Sequence, residues 1–139
     1  MRAPGPEPFA PQNEFMNPLR VGVIGTGAIS GIYLQNLQAY AGTTVVALAD
    51  LDPTRARAKA EEHNVAKVTD VAGLLADPEV DLVLNLTIPA AHYEVARQAI
   101  EAGKHVYNEK PLAVAQQEGR ALLDLAAANG VRVGCAPDT

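Results

Sequence analysis

Two textures alternate along the chain: short β-branched apolar runs, and longer Ala- and Leu-rich segments with helical spacing. The pattern predicts strands at about 20–24, 44–49, 66–68, 82–87, 105–107 and 131–134. Helices fall between them, at about 28–39, 53–63, 71–75, 91–102 and 114–129. Asp52 is placed to cap a helix with Pro53 at its first position, and Gly103 and Gly130 stand where a left-handed C-terminal residue is needed. The runs from Val21 to Ile24 and from Leu82 to Leu86 are nearly continuously apolar, as in a parallel sheet covered by helices on both faces. The expected fold is therefore α/β: a doubly wound, mostly parallel six-stranded sheet of order 3-2-1-4-5-6, whose crevice opens between the carboxyl ends of strands 1 and 4.

The first 18 residues break this pattern, since five of the ten prolines fall there with no helical or strand period. They are read as a flexible tail, residues 1–18, ahead of one domain spanning 19–139. With 139 residues, 48% hydrophobic and 19% charged, the chain can build a core without disulfides or metals. A net charge of −5 with scattered basic residues gives no footprint for nucleic acid or anionic lipid, and no apolar run is long enough to span a bilayer. The single cysteine, Cys135, and three dispersed histidines match no zinc spacing, so no metal site is expected and the cytoplasm is the expected compartment.

The turn after strand 1 reads Gly25-Thr-Gly-Ala-Ile-Ser-Gly31. Gly25 permits the tight turn, Gly27 lets a pyrophosphate approach the backbone at a helix N-terminus, and Ser30 replaces the third glycine of the dinucleotide fingerprint with a side chain still small enough for close packing. Twenty residues past Ser30, Asp50 ends strand 2, where a carboxylate accepts both ribose hydroxyls and repels a 2′-phosphate. NAD is therefore the expected cofactor; the alternative is that Asp50 merely starts the turn into the next helix, although Asp52 already occupies the capping position beside Pro53. NADP stays open, because Arg55 and Arg57 are close enough to compensate a phosphate, although a solvated helix face accounts for them more simply.

Two further loops reach the same edge. Thr87, Ile88 and Pro89, followed by His92, lie across the crevice from the glycine turn and are placed to line a nicotinamide pocket; a helix-cap role for Thr87 and a backbone-bonded role for His92 are the alternatives. After strand 5 come Asn108-Glu109-Lys110-Pro111. Glu109 and Lys110 are read either as a surface ion pair or as part of the site, with Lys110 hydrogen-bonding a substrate hydroxyl or carbonyl. Pro111 restrains Lys110 from helical geometry and admits a cis bond.

The segments Gly25-Thr-Gly-Ala-Ile-Ser, Ala49-Asp50, Thr87-Ile-Pro and, above all, Glu101-Ala-Gly-Lys-His-Val-Tyr-Asn-Glu-Lys-Pro-Leu-Ala113 resemble the glucose–fructose oxidoreductase, inositol dehydrogenase and MocA family. The resemblance covers nearly all of residues 19–139. It implies an NAD- or NADP-dependent oxidoreductase acting on sugars, cyclitols or related polyols, as a homo-oligomer. It further implies that Gly25, Gly27, Ala28 and Ile29 hold the pyrophosphate, Asp50 the ribose, and Thr87, Pro89, His92 and Glu109 the nicotinamide half, with Lys110 touching both cofactor and substrate. Such proteins usually carry a second, largely antiparallel α/β domain with the substrate pocket and a further acid/base residue; this sequence stops before it, so the chain itself is expected to bind cofactor without ordinary turnover. A non-catalytic dinucleotide-binding sensor of the same fold is the alternative.

Overall fold

A computed structural model describes residues 17–137, so most of the expected tail lies outside the described residues. Six strands form one parallel sheet: β1 (Leu19–Ile24), β2 (Thr43–Ala49), β3 (Lys67–Thr69), β4 (Leu82–Asn85), β5 (His105–Asn108) and β6 (Val133–Cys135). Their order is β3-β2-β1-β4-β5-β6, the expected one. The connecting helices are α1 (Ser30–Ala39), α2 (Pro53–His63), α3 (Val71–Ala76), α4 (His92–Glu101) and α5 (Gln116–Asn129). Because every strand runs the same way, the loops after β1, β2, β4 and β5 all emerge on one edge.

Each sheet face carries its own core. Ile24, Ala49, Val83 and Val106 pack on one face against Leu74 of α3, Ala96 and Ile100 of α4 and Leu122 of α5. Val21, Val23, Leu48 and Leu84 pack on the other against Leu34 of α1 and Ala60 of α2. The strands read as continuous apolar runs because alternate residues enter opposite cores. Gly22 allows close approach on the first face: a Cβ there would lie 2.9 Å from Leu74.

The anticipated stop signals operate. Asp52 accepts from the amides of Thr54 and Arg55 at the start of α2, and Asp70 does the same for Gly73 in α3. Gly103 and Gly130 take φ of +79° and +68°.

Several boundaries differ from expectation, each through a local hydrogen bond. β4 ends at Asn85 rather than 87, because the Asn85 side-chain oxygen accepts from the amide and hydroxyl of Thr87 and folds the chain off the ladder. The first helix begins at Ser30 rather than 28, after a turn in which the Ser30 amide and hydroxyl both donate to the Gly27 carbonyl. Residues Pro89–Ala91 form a single 3₁₀ turn ahead of α4. β6 starts at Val133 rather than 131, since the Val131 amide donates back to Ala126 and closes α5.

Candidate functional site

The glycine turn joins β1 to α1. Gly25 has φ of +101°, and a Cβ on it would stand 2.6 Å from the Leu86 carbonyl, so both backbone angle and space demand glycine. Gly27 is the opposite case: an added Cβ there would meet nothing within 4 Å. The open space faces the start of α1, where Ile29 at the cap position supplies no side-chain acceptor. An anion has both room and a favourable dipole there. Ser30 is fully buried, which fits the close-packing role of the third fingerprint position.

Asp50 closes β2 with its carboxylate almost wholly engaged. Oδ2 accepts from the Thr26 amide at 2.7 Å and the Thr26 hydroxyl at 2.8 Å, and Oδ1 accepts from the Asp52 amide at 2.8 Å. Arg55 adds a two-point fork, Nη2 to Oδ1 at 2.9 Å and Nε to Oδ2 at 3.2 Å. Burial would raise the Asp50 carboxyl, but the Arg55 fork, the backbone amides and the Thr26 hydroxyl outweigh it and hold the group well below the usual carboxylate range. Arg55 lies on a solvated helix face as expected, its side chain 55% exposed, and its head group in addition reaches back to the end of β2. Arg57 does not reach the slot and is exposed near Asn64 and Val68.

A slot of about 300 Å³ runs from this carboxylate to the loop after β4, lined by Gly27, Asp50, Leu51, Thr87 and Ile88 among others. Leu51 and Ile88 are large apolar side chains left 95% and 70% exposed, one at the end of β2 and the other across the crevice. Between them they offer apolar walls for a flat ring. Glycine turn, carboxylate and slot fit a dinucleotide in the chemistry of their donors and acceptors and in the space left at Gly27. A larger concavity of about 840 Å³ lies at the opposite, amino edge, but its charged residues, Arg20 and Asp81, satisfy each other at 3.0 Å.

Of the two roles expected for His92, the structure shows the backbone-bonded one. His92 is 1% exposed, with Nε2 2.8 Å from the Thr87 carbonyl and Nδ1 2.6 Å from the Pro111 carbonyl. Its ring ties the β4 loop to the β5 loop from beneath. Around it, buried Asn85 donates to the His92 carbonyl and to Asn108 Oδ1, and Asn108 donates to the Leu112 carbonyl. Each of these buried polar side chains has a hydrogen-bond partner, as burial requires.

On the β5 side, the Glu109 amide donates to the Asn85 carbonyl at 2.9 Å, Lys110 is exposed, and the Lys110–Pro111 peptide is cis. The Tyr33 hydroxyl of α1 donates to the Glu109 carboxylate. Sequence reasoning passed over Tyr33, Thr26, Asn85 and Asn108. Thr26 carried a faint signal as the variable residue inside the glycine fingerprint; the other three become visible only when β1, β4 and β5 are adjacent.

Parallel doubly wound sheet, glycine turn and terminal acid define a dinucleotide-binding domain. Residues 19–136 match the oxidoreductase family with an NAD-binding Rossmann fold, and the chain belongs to that glucose–fructose oxidoreductase, inositol dehydrogenase and MocA family. It is similar to an inositol 2-dehydrogenase of Agrobacterium fabrum, 36% identical over 120 residues, which are 83% of this chain and 35% of that protein. Among solved structures it resembles KijD10, a 3-ketoreductase of Actinomadura kijaniata in complex with TDP-benzene and NADP: TM-score 0.82, 33% identity, 86% of this chain and 38% of that one. GenD2 from gentamicin A biosynthesis, in complex with NAD, aligns at TM-score 0.82 and 29% identity over 87% of this chain and 35% of that one. The chain thus spans about a third of the length of the curated relatives it matches.

Proposed function

We propose that this chain binds NAD, and NADP less tightly, as the cofactor domain of an oxidoreductase that moves a hydride between the nicotinamide and a hydroxyl- or carbonyl-bearing carbon of a sugar, cyclitol or related polyol. The observation that carries the reading is the convergence of the glycine turn, the Asp50 carboxylate and the Glu109-Lys110-Pro111 loop on one edge of the sheet. Relatives named as an inositol 2-dehydrogenase and a 3-ketoreductase support the substrate class.

In this reading Gly25, Gly27, Ala28 and Ile29 form the pyrophosphate cradle, with Gly27 kept bare for the phosphate oxygens. Asp50 accepts the adenosine ribose hydroxyls after Arg55 gives up part of its fork; the same guanidinium is the natural partner for a 2′-phosphate, which is why NADP is tolerated. Thr87, Ile88 and Pro89 wall the far side, and Glu109 receives the nicotinamide half. The bound nicotinamide supplies the hydride acceptor or donor. Lys110 acts at the substrate oxygen, its Nζ donating a hydrogen bond and steadying the charge that develops as the C–H bond changes.

A lysine at this place favours an enzyme over a sensor of the same fold. Family resemblance further supports a homo-oligomer, and the single cysteine suits the reducing cytoplasm. The cofactor part is tested by titrating NADH and NADPH into the folded chain and following nicotinamide fluorescence, with no tryptophan to interfere. Saturable binding that favours NADH and weakens in Asp50→Ala is expected; a folded chain that binds neither nucleotide rejects the reading. The substrate class is tested by assaying the protein with NAD against myo-inositol and related polyols, where a complete absence of reduction in full-length protein would favour the sensor.

A further inference from the structure

Tyr33 occupies the first turn of α1, directly after the glycine turn, yet its hydroxyl crosses β1 and β4 to donate to Glu109 Oε2 at the end of β5. Tyr33 packs against the core cluster that contains Val21 and Leu84, on the α1 side of the sheet. Glu109 is thereby held at two points, by its amide on Asn85 and by its carboxylate on Tyr33. Lys110 follows immediately. We infer that Tyr33 is a positioning residue, which sets the nicotinamide side of the site by anchoring the Glu109 carboxylate. The inference rests on the cofactor reading above.

The physical case concerns what Glu109 would do without it. A half-buried carboxylate needs a donor, and the phenol supplies one from a rigid helix. A carboxylate accepts on both oxygens, so Oε2 on Tyr33 leaves Oε1 to receive a cofactor hydroxyl. Deprived of the phenol, the Glu109 carboxylate loses its donor on α1 and leaves its working position. The contact also joins the helix that cradles the pyrophosphate to the loop that serves the nicotinamide. One side chain thus ties the two halves of the cofactor site.

The test separates those halves. Tyr33→Phe keeps the ring and its packing, so the variant is expected to fold, as circular dichroism checks. Its affinity for NADH should fall about tenfold, the effect of losing one hydrogen bond to a charged group, while affinity for ADP, which lacks the nicotinamide riboside, stays within about twofold. In a Glu109→Ala background, which has no side-chain acceptor for the phenol, Tyr33→Phe should add no further loss, because Tyr33 acts through Glu109. Unchanged NADH binding by Tyr33→Phe would overturn the inference alone. Equal losses for NADH and ADP would also overturn it, by showing that Tyr33 merely supports the glycine turn. If the folded wild-type chain binds neither NADH nor ADP, the cofactor reading itself fails and this inference falls with it.

Discussion

Arg55 lays its guanidinium fork across Asp50, with nitrogen-to-oxygen distances of 2.9 and 3.2 Å, and so occupies the approach to the acid expected to bind ribose. Asp50 is almost entirely buried, whereas the Arg55 side chain is 55% exposed, so the acid is fixed and the base is the part that can move. In the proposed binding mode, the buried carboxylate would select against a 2′-phosphate and the exposed guanidinium would soften that selection.

Arg55→Ala should therefore sharpen cofactor choice. NADPH affinity is expected to fall about tenfold for the loss of one charge-assisted contact, while NADH affinity changes by less than about twofold because Thr26 and Asp52 still hold Asp50. Parallel fluorescence titrations of wild type and variant measure the ratio, and an unchanged ratio would remove Arg55 from the specificity account.

The two glycines of the turn should separate folding from binding. Gly25→Ala meets both an unfavourable φ and the Leu86 carbonyl, and is expected to cost about 2–4 kcal/mol in urea denaturation. Gly27→Ala meets nothing in the protein, so its Tm should match wild type while NADH binding drops at least about tenfold through the lost pyrophosphate approach. A Gly27→Ala chain that binds NADH normally would place the pyrophosphate elsewhere.

Acid should uncover the Asp50 network. Its folded carboxyl is held below the ordinary value, so its contribution to stability is complete above the unfolded pKa of about 3.9 and is lost as pH falls through the lower folded value. Asp50→Asn is expected to be less stable than wild type at pH 7, with the gap narrowing below about pH 4. Urea midpoints measured from pH 7 to pH 3 report the difference; a gap that stays constant with pH would mean the charge is not what those donors stabilise.

Removing the His92 ring should loosen two loops together. His92→Ala leaves the Thr87 and Pro111 carbonyls without that partner and opens a buried void, at an expected cost of about 2–4 kcal/mol. The corresponding drop in Tm is about 10 °C for a domain of this size. Hydrogen exchange should rise in residues 86–91 and 109–112 and remain low in β1 and β2. Protection lost evenly across the sheet would contradict a local role.

The alternation of apolar runs with Ala- and Leu-rich stretches carries the sheet order, because a parallel strand buried on both faces has few other ways to be covered. The terminal signals at Asp52, Gly103 and Gly130 were equally legible, since each acts on backbone within a few residues of itself. So was the glycine turn, whose meaning depends on one strand and one helix. Tertiary structure alone decided the rest. Whether His92 faced cofactor or core depended on where the Thr87 and Pro111 carbonyls came to lie, 5 and 19 residues away. That the solvated Arg55 also clasps Asp50 depended on how α2 leaves β2. Tyr33 and Glu109 stand 76 residues apart and meet only because the sheet places β5 two strands from β1. Local backbone preferences and burial patterns are written in neighbouring residues; the partner of a polar side chain is set by which distant strands lie side by side.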